Sequence, residues 1–434
     1  MTEPAQKILW DVMEEHLEEA CFLWTQWEAA LDAPDYTLGE LAGLEEQRLA
    51  AHLDALVLGG DEVAEALLLP ALSGDEADAS VAAGLALAAL GRVDAVLEAL
   101  GAVTELTQGA LGLRRALELC ATARVEDGLR ELAAAGAPLG RALALEALAF
   151  HGVDLGPLPA DLIDLVDPGV TRALLRAARG ADLAPTGLVA RGLEDPQLRD
   201  TALRTGILRG VEGARARCTQ LAAEPGCRAA LELEALLGGP SALPSLQASL
   251  AHPEARLDAL WALGFCGTPE AGDLCVEAMR GGDELQAAVA AEALVAITGL
   301  DLQAAGLVRP PDPAGDEDDE EGGLTLAISP ESFLPRPDVD GVAAWWATRR
   351  PELHVGQRGI LGQPASLTAA AGALAAGSMA RRHGLALELR LRGGEHAVLR
   401  TQTRTWCALQ RPQVDRLSNI TEQELDPALD WGGR

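Results

Sequence analysis

Apolar positions between residues 60 and 300 recur at helical spacing, in short segments that return about every 30 residues. Five of these segments begin with proline and run to a glycine; they start at Pro138, Pro168, Pro196, Pro225 and Pro253. The steps between these prolines are 30, 28, 29 and 28 residues. Proline is tolerated in the first turn of a helix, and glycine ends a helix in the left-handed conformation. Each segment therefore predicts one helix with proline in its first turn.

The same step continues where the proline is missing. It reaches Gln108 and Asp78 in one direction and Asp283 in the other, and an apolar helical segment opens at each. A second short helix, such as Pro269–Met279, separates consecutive segments. A pair of short helices cannot bury its apolar stripe alone, so it stacks on its neighbours. We predict an all-α protein in which residues 61–308 form an α-solenoid of about eight units of 28–30 residues.

An arginine follows each of the five prolines by three or four residues; these are Arg141, Arg172, Arg199, Arg228 and Arg256. Because an arginine recurs in every unit, the pattern favours a ladder of ion pairs between repeats over a substrate site. Asp167 and Asp195 precede two of the prolines and are predicted to cap the orphan amides of the helices that follow.

Two longer helices are predicted before the repeats. Lys7–Leu31 carries apolar residues at helical spacing, and Pro34 ends it. Thr37 and Glu40 then form a capping box for a second helix that continues to about residue 58. A solenoid needs its terminal repeat covered, so residues 1–60 are predicted to be an N-terminal helical cap.

The pattern changes after residue 308. Residues 309–323 contain prolines, glycines and six consecutive acids, Asp316–Glu321, which predict a solvated linker without the glycine placement of a calcium loop. Residues 324–434 predict a small, mostly helical C-terminal module that stacks on the last repeat. Its predicted elements are a strand at 324–329 and helices at Val342–Thr348, Ser366–Gly377, Ala380–Leu391 and Val398–Gln410.

Composition and charge agree with a helical protein that binds other proteins. Aromatic residues make up only 3% of the chain, and the apolar content is mostly Ala and Leu, which favour helices. The formal net charge is −32, of which residues 1–309 contribute −27. Such a polyanion repels phosphate backbones and anionic membranes, so we expect no nucleic-acid partner and favour basic protein partners. Residues 170–230 differ, with ten basic and six acidic side chains; they are either a docking patch for an acidic partner or linker, or an ordinary mixed surface.

The chain is expected to be cytoplasmic. Its most apolar run, Val81–Leu90, is far shorter than a membrane span, and the first residues do not resemble a signal peptide. Seven scattered cysteines without a C-x-x-C pair indicate reduced thiols. The equal spacing of Cys218/Cys227 and Cys266/Cys275 leaves a redox pair open, but buried thiols explain it as well.

Several segments resemble known families. Pro253–Leu302 resembles HEAT-type repeats, with a shorter step that is closer to the HEAT-like units of bilin lyases. A bacterial family of uncharacterised HEAT-repeat proteins, found among type VI secretion gene clusters, is similar in other segments. These are His16–Trp24, Tyr36–Leu41, Ala51–Leu56, Gly356–Pro364 and Arg381–Leu391. The resemblance implies a secretion context and no catalytic residues.

Four polar residues of these motifs are candidates for a site: His16, Glu19, His52 and Asp54. A histidine and a carboxylate on facing helices can bind a metal, but the Glu-x-x-His frame of di-iron bundles is missing. We therefore expect no metal and a hydrogen-bonding role within the cap. Candidate anchors for a partner are Trp24, Trp27, Trp345, Trp346, Arg349 and Arg350, because Trp and Arg are enriched at interface hot spots. Core packing is the alternative for these tryptophans.

The sequence lacks the motifs of nucleophilic hydrolases, P-loop proteins, dinucleotide-binding proteins and zinc proteases. With seven histidines and one lysine, it offers few groups for acid–base catalysis. We therefore predict a non-enzymatic scaffold or adaptor without a cofactor, linked by resemblance to type VI secretion. The alternative is a HEAT-like lyase or another small-molecule enzyme, which requires a pocket of converging acids in the concave face.

Overall fold

A computed structural model describes residues 8–181, 185–310, 330–392 and 403–418. Its α-helices, in chain order, are α1 (Trp10–Ala30), α2 (Leu38–Glu40), α3 (Glu46–Leu58), α4 (Gly60–Val63), α5 (Leu69–Leu72), α6 (Ala77–Ala89), α7 (Val93–Gly101), α8 (Gln108–Leu119), α9 (Ala123–Ala135), α10 (Pro138–Phe150), α11 (Ala160–Ile163), α12 (Pro168–Ala177), α13 (Thr186–Glu194), α14 (Arg199–Leu208), α15 (Ala214–Ala222), α16 (Arg228–Gly238), α17 (Leu243–Leu250), α18 (Arg256–Cys266), α19 (Pro269–Gly281), α20 (Glu284–Thr298), α21 (Val339–Arg349), α22 (Leu367–Ala376), α23 (Met379–Arg392) and α24 (Cys407–Ser418).

The few other elements are short. Two π-helical turns lie at Leu41–Glu45 and Ala64–Leu68, and 3-10 turns lie at Gly239–Ala242, Pro330–Phe333 and Arg350–Glu352. Strands β1 (Gly359–Ile360) and β2 (Gln363–Pro364) form an antiparallel hairpin, with Gly359 opposite Pro364 and Ile360 opposite Gln363. The predicted all-α class is therefore confirmed. The predicted strand at 324–329 and nearly all of the predicted linker lie outside the described residues.

The chain divides into two compact units. Of the described residues, the first unit comprises 8–30, 39–181, 185–214 and 404–410, and the second comprises 31–38, 215–310, 330–392, 403 and 411–418. In the first unit α1 packs on α3 and α6, and then α6, α8, α10, α12 and α14 pack successively on one another. In the second unit α16 packs on α18 and α18 packs on α20. Alanine and leucine fill the core of both units.

The predicted repeat appears as a series of evenly spaced helices. The even-numbered helices from α6 to α20 begin 28 to 31 residues apart, and a shorter or more exposed helix separates each from the next. Most of these even-numbered helices are buried on nearly every side; the whole of Ser80–Leu87 in α6 is buried. Small alanine side chains permit this close packing, because they let neighbouring helices approach one another.

The prolines occupy two different places. Pro138 and Pro168 are the first residues of α10 and α12, as predicted. For Pro196, Pro225 and Pro253 the prediction is wrong, because they lie three residues before the first residues of α14, α16 and α18. Two of these three prolines stand second in a hydrogen-bonded turn, a position that the fixed φ of proline favours. The helices begin at the arginines instead.

Three of the five recurring arginines cap the C-terminal ends of helices. In Arg141, Arg199 and Arg256 the Nε–H donates to a carbonyl in the last turn of the preceding helix, at 3.0 to 3.2 Å. The last carbonyls of a helix have no partner within it, so these arginines satisfy orphan acceptors. Of the three, Arg141 also forms an ion pair with Asp161. The predicted ladder of ion pairs between repeats is therefore present only in part, through Arg141 with Asp161 and Arg228 with Asp258, and the other contacts of these arginines include the backbone. Asp167 caps α12 as predicted, accepting from the amide of Val170 at 2.8 Å.

The C-terminal module caps two helices of the second unit through the β1–β2 hairpin. Gly359 N–H donates to the carbonyl of Gly267, which ends α18 in the left-handed conformation at φ 72°. Leu361 and Gly362 donate to carbonyls of the last turn of α20. Arg358 donates to the carbonyl of Phe265 at 2.9 Å. A segment without long elements therefore satisfies backbone acceptors of both helices.

Side chains of α23 continue these contacts. Arg358 and Glu388 form a buried ion pair, and Arg381 pairs with Glu292 of α20 and stacks on Trp261 at 3.6 Å from the ring centroid. The helices of the module lie close to their predicted positions except the last. A helix was predicted at Val398–Gln410; residues 398–402 lie outside the described residues, and α24 begins at Cys407, after a turn.

Within the described ranges, no helix combines the length and the hydrophobicity needed to cross a bilayer.

Candidate functional site

The four polar candidate residues lie on the antiparallel pair α1 and α3 of the first unit. The pair is antiparallel because Trp27, near the end of α1, contacts Glu46 at the start of α3, whereas His16 contacts His52 farther along. The Nδ1 atoms of His16 and His52 are 3.1 Å apart, and the rings meet edge to face. One imidazole must donate and the other accept, so the pair forms a hydrogen bond across the helix seam.

The carboxylates do not join the histidines. Glu19 and Asp54 are exposed on α1 and α3, whereas both imidazoles are half-buried. In the part of the chain that the structure describes, no group of three or more His, Cys, Asp or Glu side chains is arranged to hold a metal ion. The motif residues therefore split into an internal histidine contact and a set of surface acids.

Acidic residues dominate this end of the molecule. Residues 8–91 contain 18 acidic side chains and one basic side chain, Arg48. Arg48 itself pairs with Glu45 at 3.3 Å. The acidic surroundings act on Cys21 as well, since burial, followed by Asp78 and Glu76, raises the pKa of this thiol to about 12. Glu28 pairs with Arg115 and Arg404, and the exposed acids of α1 and α3 leave the surface of this helix pair negative.

Large apolar side chains are exposed among these acids. Of the eleven exposed large apolar residues in the described parts of the chain, three lie in this helix pair, Trp10, Phe22 and Leu58; Leu9 directly precedes α1, and Leu44 lies in the π-helical turn before α3. Leu58 is 77% exposed and Trp10 is 40% exposed. Isolated exposed apolar residues are ordinary, but a group of them on one helix pair marks a candidate interaction surface. We call these five residues, with the exposed acids of α1 and α3, the hairpin face.

The antiparallel register brings members of the hairpin face together. Trp10 lies six residues before His16, and Leu58 lies six residues after His52, so both stand at the same end of the pair. Leu58 also follows the exposed Asp54 by one helical turn. The apolar end of the hairpin face is therefore the end of the pair at which Trp10 and Leu58 stand, and exposed acids follow along both helices.

The candidate indoles of α1 are buried. Trp27 is completely inaccessible, and its Nε1–H donates to Glu46 at 3.0 Å, while Trp24 is buried beside it in the sequence. Their spacing from Ala20 and Leu23 places them on the core side of α1. Both indoles are therefore core residues in this structure and do not contribute to the hairpin face.

The second predicted cluster, on α21, is largely satisfied within the second unit. Trp346 is buried and donates Nε1–H to Asp273 at 2.9 Å, and Arg350 donates to both carboxylate oxygens of the same aspartate. Arg349 pairs with Glu352. Trp345 is half-buried and its ring lies 6.4 Å from that of Trp346. Trp346 and Arg350 therefore connect this segment to Asp273 of α19, so these two side chains are engaged within the unit.

Sequence reasoning missed the exposed residues that distinguish the hairpin face. Trp10 was not singled out from the sequence, and residue 58 was placed only as the approximate end of the second predicted helix. The available signal was their position at helix ends: an apolar residue beyond the last facing turn has no partner helix to cover it. Comparisons of the chain with family models, with curated proteins and with solved structures give no match.

Proposed function

We propose that this protein is a non-enzymatic scaffold or adaptor, built as an α-solenoid of short HEAT-like repeats, that binds a basic amphipathic segment of a partner protein at the hairpin face. The observation that carries the proposal is the exposure of five large apolar side chains, three in α1 and α3 and two next to them in the chain, within a stretch of 18 acids and one base. The even spacing of the helices from α6 to α20 supports the solenoid.

The chemistry of the hairpin face defines the partner. Its apolar end gains free energy by leaving water, which requires apolar side chains on the partner. The acids behind it lose hydration on contact, and this loss is compensated only where a lysine or arginine of the partner faces them. A segment that meets both demands has apolar residues on one side and basic residues on the other, as an amphipathic helix does. A second copy of this chain would bring acids against acids, so like-charge repulsion disfavours self-association here.

The secretion context is part of the proposal. The segments that resemble HEAT-repeat proteins of type VI secretion clusters include His16–Trp24 and Ala51–Leu56, which belong to α1 and α3. This coincidence supports a search for the partner among basic segments of secretion-system components.

The test uses a labelled synthetic helix as the probe, because the partner is unidentified. The peptide carries leucines at i, i+3, i+4 and i+7 on one side and lysine or arginine on the other; a second peptide replaces every base by glutamate. Fluorescence anisotropy and stopped-flow mixing then give affinity and rates for the full chain. We expect the basic peptide to bind and the acidic peptide not to bind.

Three variants assign the binding to the hairpin face. Trp10→Ser with Leu58→Ser should weaken binding tenfold or more, mainly through faster dissociation. Glu15→Gln, Glu18→Gln and Glu19→Gln together should slow association and flatten its dependence on salt. Val166→Ser is the matched control, because Val166 is 94% exposed in the first unit outside the hairpin face. Equal binding by all these variants, or equal binding of both peptides, would refute the proposal.

A further inference from the structure

A short C-terminal segment occupies the first unit in the manner of a bound peptide. We call Arg404–Gln410 the strap: the seven residues belong to the first unit, whereas the residues on either side of them belong to the second. Its contacts are to residues about 290 to 380 positions earlier in the chain. The strap therefore contacts α1, α3 and α8, which are far from it in the sequence.

The centre of the strap is the indole of Trp406, which contacts the Trp27 ring and the C-terminal end of α8. The Trp406 ring lies 4.9 Å from the ring of Trp27, at a tilt of 39°. Its Nε1–H donates to the carbonyl of Leu119, the last residue of α8, at 3.0 Å. That carbonyl has no partner inside α8, so the indole satisfies an orphan acceptor and buries apolar surface together.

A buried carboxylate receives the start of α24. The Oε1 atom of Glu46 accepts from the indole of Trp27 and from the amide of Cys407, and Oε2 accepts from the amide of Ala408 at 2.9 Å. The first amides of a helix have no acceptors of their own, and the helix dipole favours an anion there. Glu46 is therefore the N-terminal cap of α24, supplied by a distant helix.

An arginine closes the other side. Arg115 donates to the carbonyl of Arg404 at 2.6 Å, and its guanidinium is held by Glu28 and lies 5.7 Å from the Trp27 ring centroid. The strap is thus held through one indole, one backbone carbonyl, two helical amides and the ion pair of Arg404 with Glu28. Outward-facing residues of the strap take no part: Leu409 is exposed.

We propose that Trp27, Glu46, Arg115 and the end of α8 form a peptide-binding site, and that the strap is its built-in, displaceable occupant. The site takes a segment with tryptophan immediately before the first turn of a helix, so that the first amides of that helix, which have no acceptor within it, can donate to Glu46. In this structure the occupant is the strap of the same chain. Its tether keeps its effective concentration high, so an external peptide competes only when the internal strap is weakened. This inference rests on contacts of the strap and is independent of the hairpin face.

The test adds the strap back as a separate molecule. A fluorescein-labelled peptide of residues 403–418 is titrated into the full chain and into its Trp406→Ala variant, with Trp345→Ala as the control that removes a half-buried indole elsewhere. We expect the peptide to bind Trp406→Ala at least tenfold more tightly than the wild-type or control chain. The same peptide lacking its tryptophan should bind none of them, and Glu46→Ala combined with Trp406→Ala should lose the binding.

Two results would overturn the proposal: no difference between Trp406→Ala and the wild-type chain while circular dichroism shows Trp406→Ala to be folded, or full binding when Glu46 is also removed. Hydrogen exchange of the wild-type chain provides a test that needs no variant. A displaceable strap opens locally, so the amides of Cys407 and Ala408 should exchange at least tenfold faster than the central amides of α8. Exchange at the same rate as α8 would show that the strap leaves only when the unit unfolds.

Discussion

Arg358 and Glu388 illustrate how a single ion pair fixes the C-terminal module. Glu388 is fully buried and Arg358 nearly so, and the guanidinium also donates to the carbonyl of Phe265 at the end of α18. Glu388 also accepts from Nε of Arg392 at 3.1 Å, so its removal takes the carboxylate away from a buried arginine, which is far more costly than losing an exposed pair. The contact therefore links β1 and α23 to the repeat helices through one side chain.

Glu388→Ala should lower the free energy of unfolding of the second unit by about 3 to 5 kcal/mol. Glu388→Gln should cost less, because the amide still accepts a hydrogen bond from Arg358. Chemical denaturation followed by circular dichroism measures both. Glu352→Ala, which removes an exposed partner of Arg349, is the control and should cost less than about 1 kcal/mol. A loss from Glu388→Ala no larger than that of the control would show that the pair adds nothing.

Single residues were the least predictable level. The sequence identified Gly356–Pro364 and Arg381–Leu391 as motifs, and the structure brings Arg358 of the first to Glu388 of the second. Nothing in the sequence pairs them, since they are 30 residues apart with a hairpin and a helix between them. In the same way Glu46 reads as one of many helix acids, and only the distant strap shows why it is buried.

At the scale of elements, helix periodicity predicted most of the repeat helices because it depends on local spacing. The exceptions have physical causes that lie elsewhere in the chain. The β1–β2 hairpin exists because α18 and α20 offer unsatisfied carbonyls, and α24 begins at Cys407 because Glu46 caps it there. Helix periodicity does not encode either acceptor, so it did not predict that α24 begins at Cys407.

Two glycines that follow helices allow the effect of the β1–β2 hairpin on α18 to be measured. Gly267 and Gly91 have similar left-handed φ angles, 72° and 76°. An added Cβ at Gly267 would lie 2.6 Å from the Gly359 carbonyl oxygen and 2.8 Å from Cγ of Arg358, whereas Gly91 has open space. Gly91→Ala should cost only the left-handed penalty of about 1 kcal/mol, and Gly267→Ala about 3 kcal/mol because the hairpin must also shift. Denaturation midpoints of the two variants provide the comparison, and equal losses would show that the hairpin yields freely.

At the scale of the whole molecule, charge is distributed very unevenly. The first 309 residues carry a net charge of −27, and the last 111 carry +2. Composition revealed this asymmetry directly, since it needs only counting. The division of the chain into two units, with the strap belonging to the first, was beyond sequence reasoning because it depends on contacts across hundreds of residues.

The acidic end should make stability depend on salt. Residues 8–91 contain eighteen acids and one base, and the acids repel one another across short distances. Sodium chloride shortens the screening length from about 30 Å at 0.01 M to about 3 Å at 1 M, so the thermal midpoint of the first unit should rise over that range. Glu15→Gln, Glu18→Gln and Glu19→Gln together should raise the midpoint at low salt and reduce the salt effect. A midpoint that falls or stays constant with salt would contradict a destabilising role for this charge.

The contacts of the C-terminal module also constrain how the chain can evolve in length. Proteins made of repeated helix pairs change size by duplicating or losing whole units. Here Arg392 donates to α16, Arg358 to α18, and Arg381 pairs with α20, so the last three buried helices of the series are each recognised individually. A unit inserted among them would place a helix with different side chains under these arginines. Gene duplication within this part of the series therefore requires the contacts of the C-terminal module to be rebuilt.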